Sequence, residues 1–170
     1  MEVRRLVSPD DIGGLQRVNT LAWRAAYRGL VPESVLDSLS TAVPDDTAQR
    51  RFEELREANG RVFVAELDDD IVGYARVRWV DTKRFVDSGD AGLTELYVHP
   101  DHWQDGIGTA LLERALDSLP DDTDALVLEA LAGNERAQAF YTRRGFRHAG
   151  SRTAEFAGEE LETAIYRREL

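Results

Sequence analysis

The chain has 170 residues, a formal net charge of −11, a hydrophobic content of 42% and no cysteine. This length suits one domain with its own core, so residues 1–170 are expected to form a single domain. The missing cysteines exclude disulfides, thiolate metal ligands and a cysteine nucleophile, and the acidic charge disfavours binding to nucleic acid.

The first third of the chain is predicted to form a strand and three helices. Residues 3–7 are predicted as the strand. The string Ser8-Pro9-Asp10-Asp11 is typical of a helix start, because it combines a capping hydroxyl, a proline and first-turn carboxylates. Apolar spacing predicts helices over 12–25, 32–39 and 44–58. No apolar run reaches membrane-spanning length and no signal-peptide core is present, so we expect a cytoplasmic protein without a membrane partner.

The remaining two thirds switch between strand and helix patterns. Strands are predicted at 62–66, 71–80, 93–98, 125–131, 146–156 and 162–169, with a polar loop at 81–90 and helices at 107–119 and 134–144. The strand–helix–strand order from 93 to 131 implies a crossover and a parallel pair. The predicted fold class is therefore α/β, with a mixed, mostly antiparallel sheet, a central parallel strand pair and flanking helices.

Two sequence blocks carry the chemistry. The first runs from Glu95-Leu96-Tyr97-Val98-His99-Pro100 to Gly106-Ile107-Gly108, which predicts a strand, a glycine turn and a helix. Glycine lets backbone N–H groups approach a ligand, and a helix N-terminus attracts anions, so this block favours phosphate binding. The second block begins 26 residues after Gly108 and reads Asn134-Glu135-Arg136-Ala137-Gln138-Ala139-Phe140-Tyr141-Thr142-Arg143-Arg144-Gly145-Phe146.

Together these blocks resemble the GNAT superfamily of acyl-CoA-dependent N-acyltransferases. The resemblance implies a single GNAT-like domain that uses acetyl-CoA as co-substrate, with a strand edge pairing with the pantetheine arm and amides facing the diphosphate. The residues that it implicates in cofactor binding are Leu96, Tyr97, Val98, Gln104, Asp105, Gly106, Ile107, Gly108, Thr109 and Asn134.

The first block departs from the family pattern at one position. The usual Arg or Gln three residues before the first glycine is Trp103 here, and Gln104 follows one place later. Asp105 lies beside Gly106, where a carboxylate would repel a diphosphate by about 4 kcal/mol at 4 Å. We therefore expect Asp105 to point to solvent. Arg136, like the other arginines of its helix, is interpreted mainly as part of a solvated face, with neutralisation of CoA phosphates as the alternative.

Acetyl transfer to an amine requires a proton donor for the leaving thiolate and a route for the amine proton. By resemblance, Tyr141 is the predicted acid. Glu129, in Leu128-Glu129, matches a catalytic Glu of some superfamily members, whereas the position of the base in many others is Gly92 here. Glu95 is a second candidate base, and water without a dedicated base is the third alternative. An ion pair with an arginine is the structural alternative for Glu129.

The function predicted from the resemblance is transfer of an acetyl group from acetyl-CoA to a primary amine of a small molecule or peptide, by direct attack on the thioester. The alternative is a non-catalytic acyl-CoA-binding module, and a nucleotide-phosphate protein is disfavoured because no P-loop pattern is present. Residues 20–40 and the 81–90 loop are predicted to build the acceptor side, with Trp23, Tyr27, Arg28 and Trp79 as lining candidates. No metal is expected, and a homodimer through the C-terminal strands is compatible with the resemblance.

Overall fold

Within residues 1–80, 82–156 and 158–170, which a computed structural model describes, the chain forms seven strands and five α-helices. Asp81, the first residue of the predicted 81–90 loop, lies outside this part. The strands are β1 (Glu2–Arg5), β2 (Gly60–Leu67), β3 (Asp70–Arg78), β4 (Ala91–Val98), β5 (Ala125–Leu131), β6 (Arg147–Phe156) and β7 (Glu159–Glu169). The helices are α1 (Asp11–Ala26), α2 (Glu33–Ser38), α3 (Asp45–Glu57), α4 (Ile107–Leu116) and α5 (Glu135–Thr142).

The strands form one sheet in the order β1-β2-β3-β4-β5-β7-β6. β4 and β5 are parallel, and the other neighbouring strands are antiparallel. The predicted α/β class and its central parallel pair are therefore confirmed. Helix α4 ends three residues earlier than the predicted 107–119 segment, because Ser118 donates its hydroxyl proton to the Ala115 carbonyl and Pro120 follows.

Helices cover the sheet on both faces. On β2, Val62 and Val64 pack with Leu15 and Val18 of α1, whereas the alternating Phe63 packs with the α4 side chains in the larger core cluster. This alternation is the period of a strand whose two faces are both buried. One face of the sheet therefore belongs to α1 and the opposite face to α4.

A β-bulge in β4 changes which side chains face each layer. Arg76 of β3 pairs with Glu95, and the next residue, Val77, pairs with Leu93, so Thr94 is an extra residue on β4. Such an insertion bends the strand and shifts its side-chain alternation. Consequently Leu93 and Leu96 both pack in the α4-side core cluster, whereas Glu95 turns to the α1 side.

The parallel pair separates soon after it forms. Among the described residues, β4 and β5 pair only at Ala91 with Leu126 and at Gly92 with Val127. Beyond these pairs β5 continues to pair with β7, and β4 continues to pair with β3. The β5-facing edge of residues 93–98 is thus left without a strand neighbour, and the sheet opens there.

Candidate active site

A cavity of about 740 Å³ occupies the opening between β4 and β5. It brings together nearly all of the residues that the sequence predicted for the site. The predicted residues that line it are Glu95, Leu96, Tyr97, Val98, Gln104, Gly106, Ile107, Gly108, Thr109, Glu129, Asn134 and Tyr141. Asp105 is outside this lining; its side chain is 58% exposed and its carboxylate lies 3.4 Å from His102 Nδ1.

The turn before α4 presents backbone N–H groups to this cavity. Gly106 precedes the helix with a φ of 83°, and the first helical bond runs from the Ala110 N–H to the Gly106 carbonyl at 3.0 Å. The N–H groups of Ile107, Gly108 and Thr109 have no carbonyl within the helix to donate to. They are therefore available to an anion, with the positive end of the helix dipole behind them.

The two glycines of this turn serve different purposes. A Cβ at Gly106 would stand in open space, so glycine is needed there for its positive φ. A Cβ at Gly108 would lie 3.2 Å from the Phe140 ring. Gly108 therefore lets α4 pack against α5, which differs from the prediction that its missing Cβ opens the way to a ligand.

Trp103 and Arg136 form a contact that the sequence did not reveal. The indole Nε1–H donates to the Val98 carbonyl at 2.8 Å, and the Arg136 guanidinium carbon lies 4.3 Å from the indole ring centroid. Both side chains line the cavity. The stack places the positive charge of Arg136 beside the α4 turn. Its partner Trp103 occupies the position where the family motif usually has Arg or Gln.

A second arginine joins α5 to the same turn. Arg144 Nε donates to Thr109 Oγ1 at 3.2 Å, and its guanidinium carbon lies 3.6 Å from the Phe140 ring centroid. Burial lowers the pKa of Arg144 from its very high ordinary value. The guanidinium adds positive charge near the N-terminus of α4, so the turn, Arg136 and Arg144 fit a diphosphate.

Tyr141 stands on α5 between two phenylalanines. It is buried, and its ring meets Phe140 and Phe146 edge-on at centroid distances of 5.2 and 5.5 Å. Burial, and to a smaller extent the neighbouring Tyr27, raises the Tyr141 pKa above its ordinary value, so the phenol keeps its proton. In the part of the chain that the structure describes, its hydroxyl has no hydrogen-bond partner, which leaves it available to a ligand.

Asn134 caps α5. Its Oδ1 accepts the Ala137 N–H at 3.2 Å, as predicted for an N-cap. The side-chain NH₂ makes no hydrogen bond to any described residue. Capping and donation to a bound arm are therefore compatible, because they use different atoms of the amide.

Glu129 lies on β5 with only 10% of its side chain exposed. Its Oε2 accepts a hydrogen bond from Thr163 Oγ1 at 3.0 Å and lies 3.3 Å from Arg152 Nη1. Its Oε1 lies 3.3 Å from Lys83 Nζ. The arginine ion pair that the sequence gave as an alternative is therefore present, and Lys83 forms a second ion pair with the same carboxylate.

Glu95 has different partners on the α1 side of β4. Tyr74 donates its hydroxyl proton to Glu95 Oε2 at 2.6 Å, and Arg76 Nη1 lies 3.3 Å from Oε1. Burial and the adjacent Glu95 charge raise the pKa of Tyr74, so Tyr74 remains a donor. Glu95, Tyr74 and Arg76 also line a separate cavity of about 130 Å³. The carboxylate is thus directed towards this second cavity.

The predicted acceptor-side aromatics divide between two places. Tyr27 lines the main cavity. Trp23 instead stacks on Phe156 of β6 at 4.6 Å, so it joins α1 to the β6–β7 hairpin. Arg28 and Trp79 are outside the cavity lining. The Trp79 ring centroid lies 5.1 Å from the guanidinium carbon of Arg61, and the ring packs against the α4-side core cluster.

The described residues contain no group of three or more His, Asp and Glu side chains that could hold a metal ion. None of their helices combines the length and apolar character needed to cross a bilayer.

Comparison with known proteins identifies the family. The model of the acetyltransferase (GNAT) family matches residues 19–146. The chain belongs to the GNAT family. Its relatives include uncharacterized N-acetyltransferases of Mycobacterium tuberculosis and Mycobacterium bovis, each 28% identical over 141 residues, which cover 82% of this chain and 86% of the relative. The protein is therefore a GNAT N-acetyltransferase.

Solved GNAT structures share the fold. The PaiA N-acetyltransferase of Thermoplasma acidophilum, solved in complex with coenzyme A, superposes with a TM-score of 0.75 at 19% identity, covering 99% of this chain and 98% of that one. The ribosomal-protein-alanine N-acetyltransferase of Brucella melitensis superposes with a TM-score of 0.76 at 20% identity over 100% of both chains. At such identities the likeness establishes the shared GNAT architecture.

Proposed function

We propose that this GNAT chain, acting as one domain over residues 1–170, transfers an acetyl group from acetyl-CoA to a primary amine of a small molecule or peptide. The amine attacks the thioester directly. The observation that carries this proposal is the opening between β4 and β5. The α4 turn and Tyr141 lie on its α4 side, and the carboxylates of Glu95 and Glu129 project towards its α1 side.

The donor side has the groups that an acyl-CoA requires. The free edge of Leu96, Tyr97 and Val98 can pair with the amide-bearing pantetheine arm as a sheet edge pairs with a strand. The amides from Gln104 to Thr109, assisted by Arg136, hold the diphosphate. When bound, acetyl-CoA supplies the activated acetyl group.

Tyr141 is assigned to the leaving sulfur. A thiol has an ordinary pKa of about 8.5, and the Tyr141 pKa is raised above that of an ordinary phenol. Full proton transfer from phenol to thiolate is therefore uphill at first. We infer that the hydroxyl donates a hydrogen bond to the sulfur as negative charge develops, which favours departure of the thiolate.

The acceptor must lose a proton before it can attack. An alkylamine with a pKa of about 10.4 is neutral in only about one molecule in 10³ at pH 7, a deficit of roughly 4–5 kcal/mol. A carboxylate that receives the proton recovers part of this deficit. We assign this role to Glu129, because the Glu95 carboxylate is bonded to Tyr74 and turned to the second cavity.

The acceptor class is proposed from the names of structural neighbours. Two structures of similar fold carry names of ribosomal-protein-alanine N-acetyltransferases, from Brucella melitensis and Escherichia coli, and a peptide N-terminal amine is therefore included in the proposal. A small-molecule amine remains the other candidate. The proposal also includes a cytoplasmic location and retains the homodimer as an expectation.

Calorimetric titration with acetyl-CoA, followed by a thiol-release assay over a panel of small amines and of peptides with free N-termini, tests the proposal. We expect binding and amine-dependent release of CoA. Binding without turnover on any amine would favour the alternative, a non-catalytic acyl-CoA-binding module. Absence of binding would contradict both functions.

A further inference from the structure

We propose that Lys83 is a site of self-acetylation, so that the chain acetylates its own lysine side chain, which lies beside Glu129 at the edge of the candidate active site. This inference rests on the proposed acetyl transfer from acetyl-CoA. Lys83 is the only lysine in the sequence, and its ammonium contacts the carboxylate that we assign as the proton acceptor.

The position of Lys83 follows from the loop that carries it. The loop leads directly into β4, and Thr82 packs close to Gly92, within 3.7 Å of where a Cβ would stand. Gly92 is the last residue of β4 that pairs with β5. The loop therefore lies at the point where the two strands part, and Lys83 reaches from there to Glu129 Oε1 at 3.3 Å.

This contact places a primary amine beside the carboxylate to which the proposed mechanism assigns the amine proton, although Lys83 itself is outside the cavity lining. Glu129 lines the main cavity, and its side chain is 10% exposed, so few groups can reach it. The Lys83 side chain is 52% exposed, with Nζ 5.9 Å from the Phe85 ring centroid. A half-exposed ion pair is weak, and the lysine stem is flexible, so the amine can leave the carboxylate and turn towards the thioester.

The reaction balances with the groups that the proposal names. The Lys83 ammonium gives up one proton to Glu129, and the neutral Nζ attacks the thioester carbonyl carbon. A bond forms between Nζ and this carbon, and the carbon–sulfur bond breaks. Of the two protons that the nitrogen loses, one ends on the CoA sulfur and the other passes through Glu129 to solvent. The products are Nε-acetyl-Lys83 and free CoA.

Acetylation would change the charges beside Glu129. It removes the positive charge of Lys83, which leaves Arg152 as the cation beside Glu129 among the described contacts. Glu129 Oε1 then becomes free to accept a proton from an external amine. Lys83 would thus cover the carboxylate in the unmodified chain and release it after modification.

Intact-mass and peptide-mapping mass spectrometry of the full chain with acetyl-CoA tests the inference. The sequence contains two kinds of primary amine at most, Lys83 and the α-amino group. Uncatalysed acetylation of peptides in general favours α-amino groups over lysines, because α-amino groups ordinarily have the lower pKa. We expect a single acetyl group on Lys83, formed at least tenfold faster than on the α-amino group, at a rate per molecule that is independent of protein concentration.

Two controls make the result decisive. Lys83→Arg retains the positive charge and should show no acetylation beyond the α-amino group. A urea-unfolded chain gives the uncatalysed rate at Lys83. If folded wild-type protein acetylates only its α-amino group, or acetylates Lys83 no faster than the unfolded chain, the inference is overturned.

A second readout needs no acetyl-CoA. Labelling of Lys83 by a water-soluble amine-reactive ester should be at least threefold faster in Glu129→Gln, because the ion pair that holds the Lys83 side chain against β5 is lost. Equal rates would overturn the placement of Lys83. Turnover of external amines without modification of Lys83 would contradict this inference alone. Failure of the wild-type chain to bind acetyl-CoA in calorimetry would overturn both this inference and the proposed function.

Discussion

At the residue scale, the chemistry depends on how each carboxylate is partnered. Glu129 contacts Lys83 and Arg152 and receives a hydrogen bond from Thr163, all on the acceptor side of β5. Glu95 is bonded to side chains of β3 instead. A general acid or base within reach of the reacting group accelerates the reaction by about 10²–10⁴-fold. Kinetics can therefore distinguish Glu129 from Glu95 as the base.

The first prediction compares Glu129→Gln with Glu95→Gln. Both changes remove one carboxylate and keep its shape. We expect Glu129→Gln to lower kcat by about 10²-fold and Glu95→Gln to lower it by less than tenfold, with the acetyl-CoA Kd little changed in either variant. The measurement is steady-state kinetics with the best amine of the panel. The reverse order of losses would make Glu95 the base, and small losses in both would leave water without a dedicated carboxylate.

The second prediction concerns the phenol. Tyr141→Phe keeps the ring contacts with Phe140 and Phe146 and removes only the hydroxyl. We expect kcat to fall by about 10²-fold while the acetyl-CoA Kd changes little, because the hydroxyl acts on the leaving sulfur. Since burial raises the Tyr141 pKa, loss of its proton should produce no alkaline fall in kcat below about pH 10. An unchanged kcat in the variant would remove Tyr141 from the mechanism.

At the element scale, two local features, a β-bulge in β4 and the end of β4–β5 pairing, open the sheet and expose an edge of β4. The extra residue Thr94 brings Leu93 and Leu96 to the same layer of the sheet, and the loss of β4–β5 pairing after Gly92 leaves an edge for a strand-like ligand. The turn before α4 then supplies amides at one end of this edge, and the cap of α5 supplies Asn134 at the cavity wall. The proposed cofactor site is thus built from the ends of secondary-structure elements.

The third prediction separates the two roles of Asn134. Asn134→Asp keeps the capping oxygen but replaces the free NH₂ with an acceptor, whereas Asn134→Ala removes both. We expect the alanine variant to lose about 1 kcal/mol of unfolding free energy and the aspartate variant to lose little of it. Both should bind CoA more weakly. Chemical denaturation and calorimetry measure the two effects; full CoA affinity in Asn134→Asp would show that Asn134 only caps the helix.

At the scale of the whole molecule, an ion-pair cluster joins the N-terminal strand to α1. The buried Asp11 carboxylate accepts bonds from Arg4 at 2.8 and 3.0 Å and from the Val7 N–H at 3.1 Å. Burial by itself raises the Asp11 pKa, but Arg4 and the N–H groups of Val7 and Ser8 outweigh it and hold that pKa below its ordinary value. The carboxylate therefore stabilises the fold above the unfolded pKa, and this contribution disappears as the pH falls through the folded pKa.

The fourth prediction follows from this sign. Asp11→Asn should lower the free energy of unfolding by about 1–3 kcal/mol at pH 7, and the difference from wild type should shrink below about pH 4. The exposed neighbour Asp10 has no contact with Arg4 among the described hydrogen bonds, so Asp10→Asn is the matched control and should change stability little. Denaturation curves at pH 7 and at pH 3.5 provide the measurement. A difference that stays constant with pH would contradict the ionic role of Asp11.

The sequence predicted much of this architecture because its signals are local. Apolar spacing located the strands and helices, and the two motif blocks located the cavity. The β4 bulge leaves one weak signal in the sequence: two polar residues, instead of one, separate Leu93 from Leu96. This signal is not specific enough to predict a bulge. The pairs Trp103–Arg136 and Lys83–Glu129 join residues far apart in the chain. No spacing rule predicts such contacts, since only the packed fold brings their elements together.

Titration of CoA into wild-type protein, Gly106→Val and Gly158→Val tests the central claim most directly. Both glycines have a φ of 83°, and a Cβ at either position meets nothing within 4 Å, so the two variants carry similar backbone strain. Only Gly106 belongs to the α4 turn. We expect one CoA per chain for wild type and Gly158→Val, and affinity at least 100-fold weaker for a folded Gly106→Val. Failure of wild type to bind, or unchanged affinity in Gly106→Val, would contradict the claim that this turn holds the cofactor.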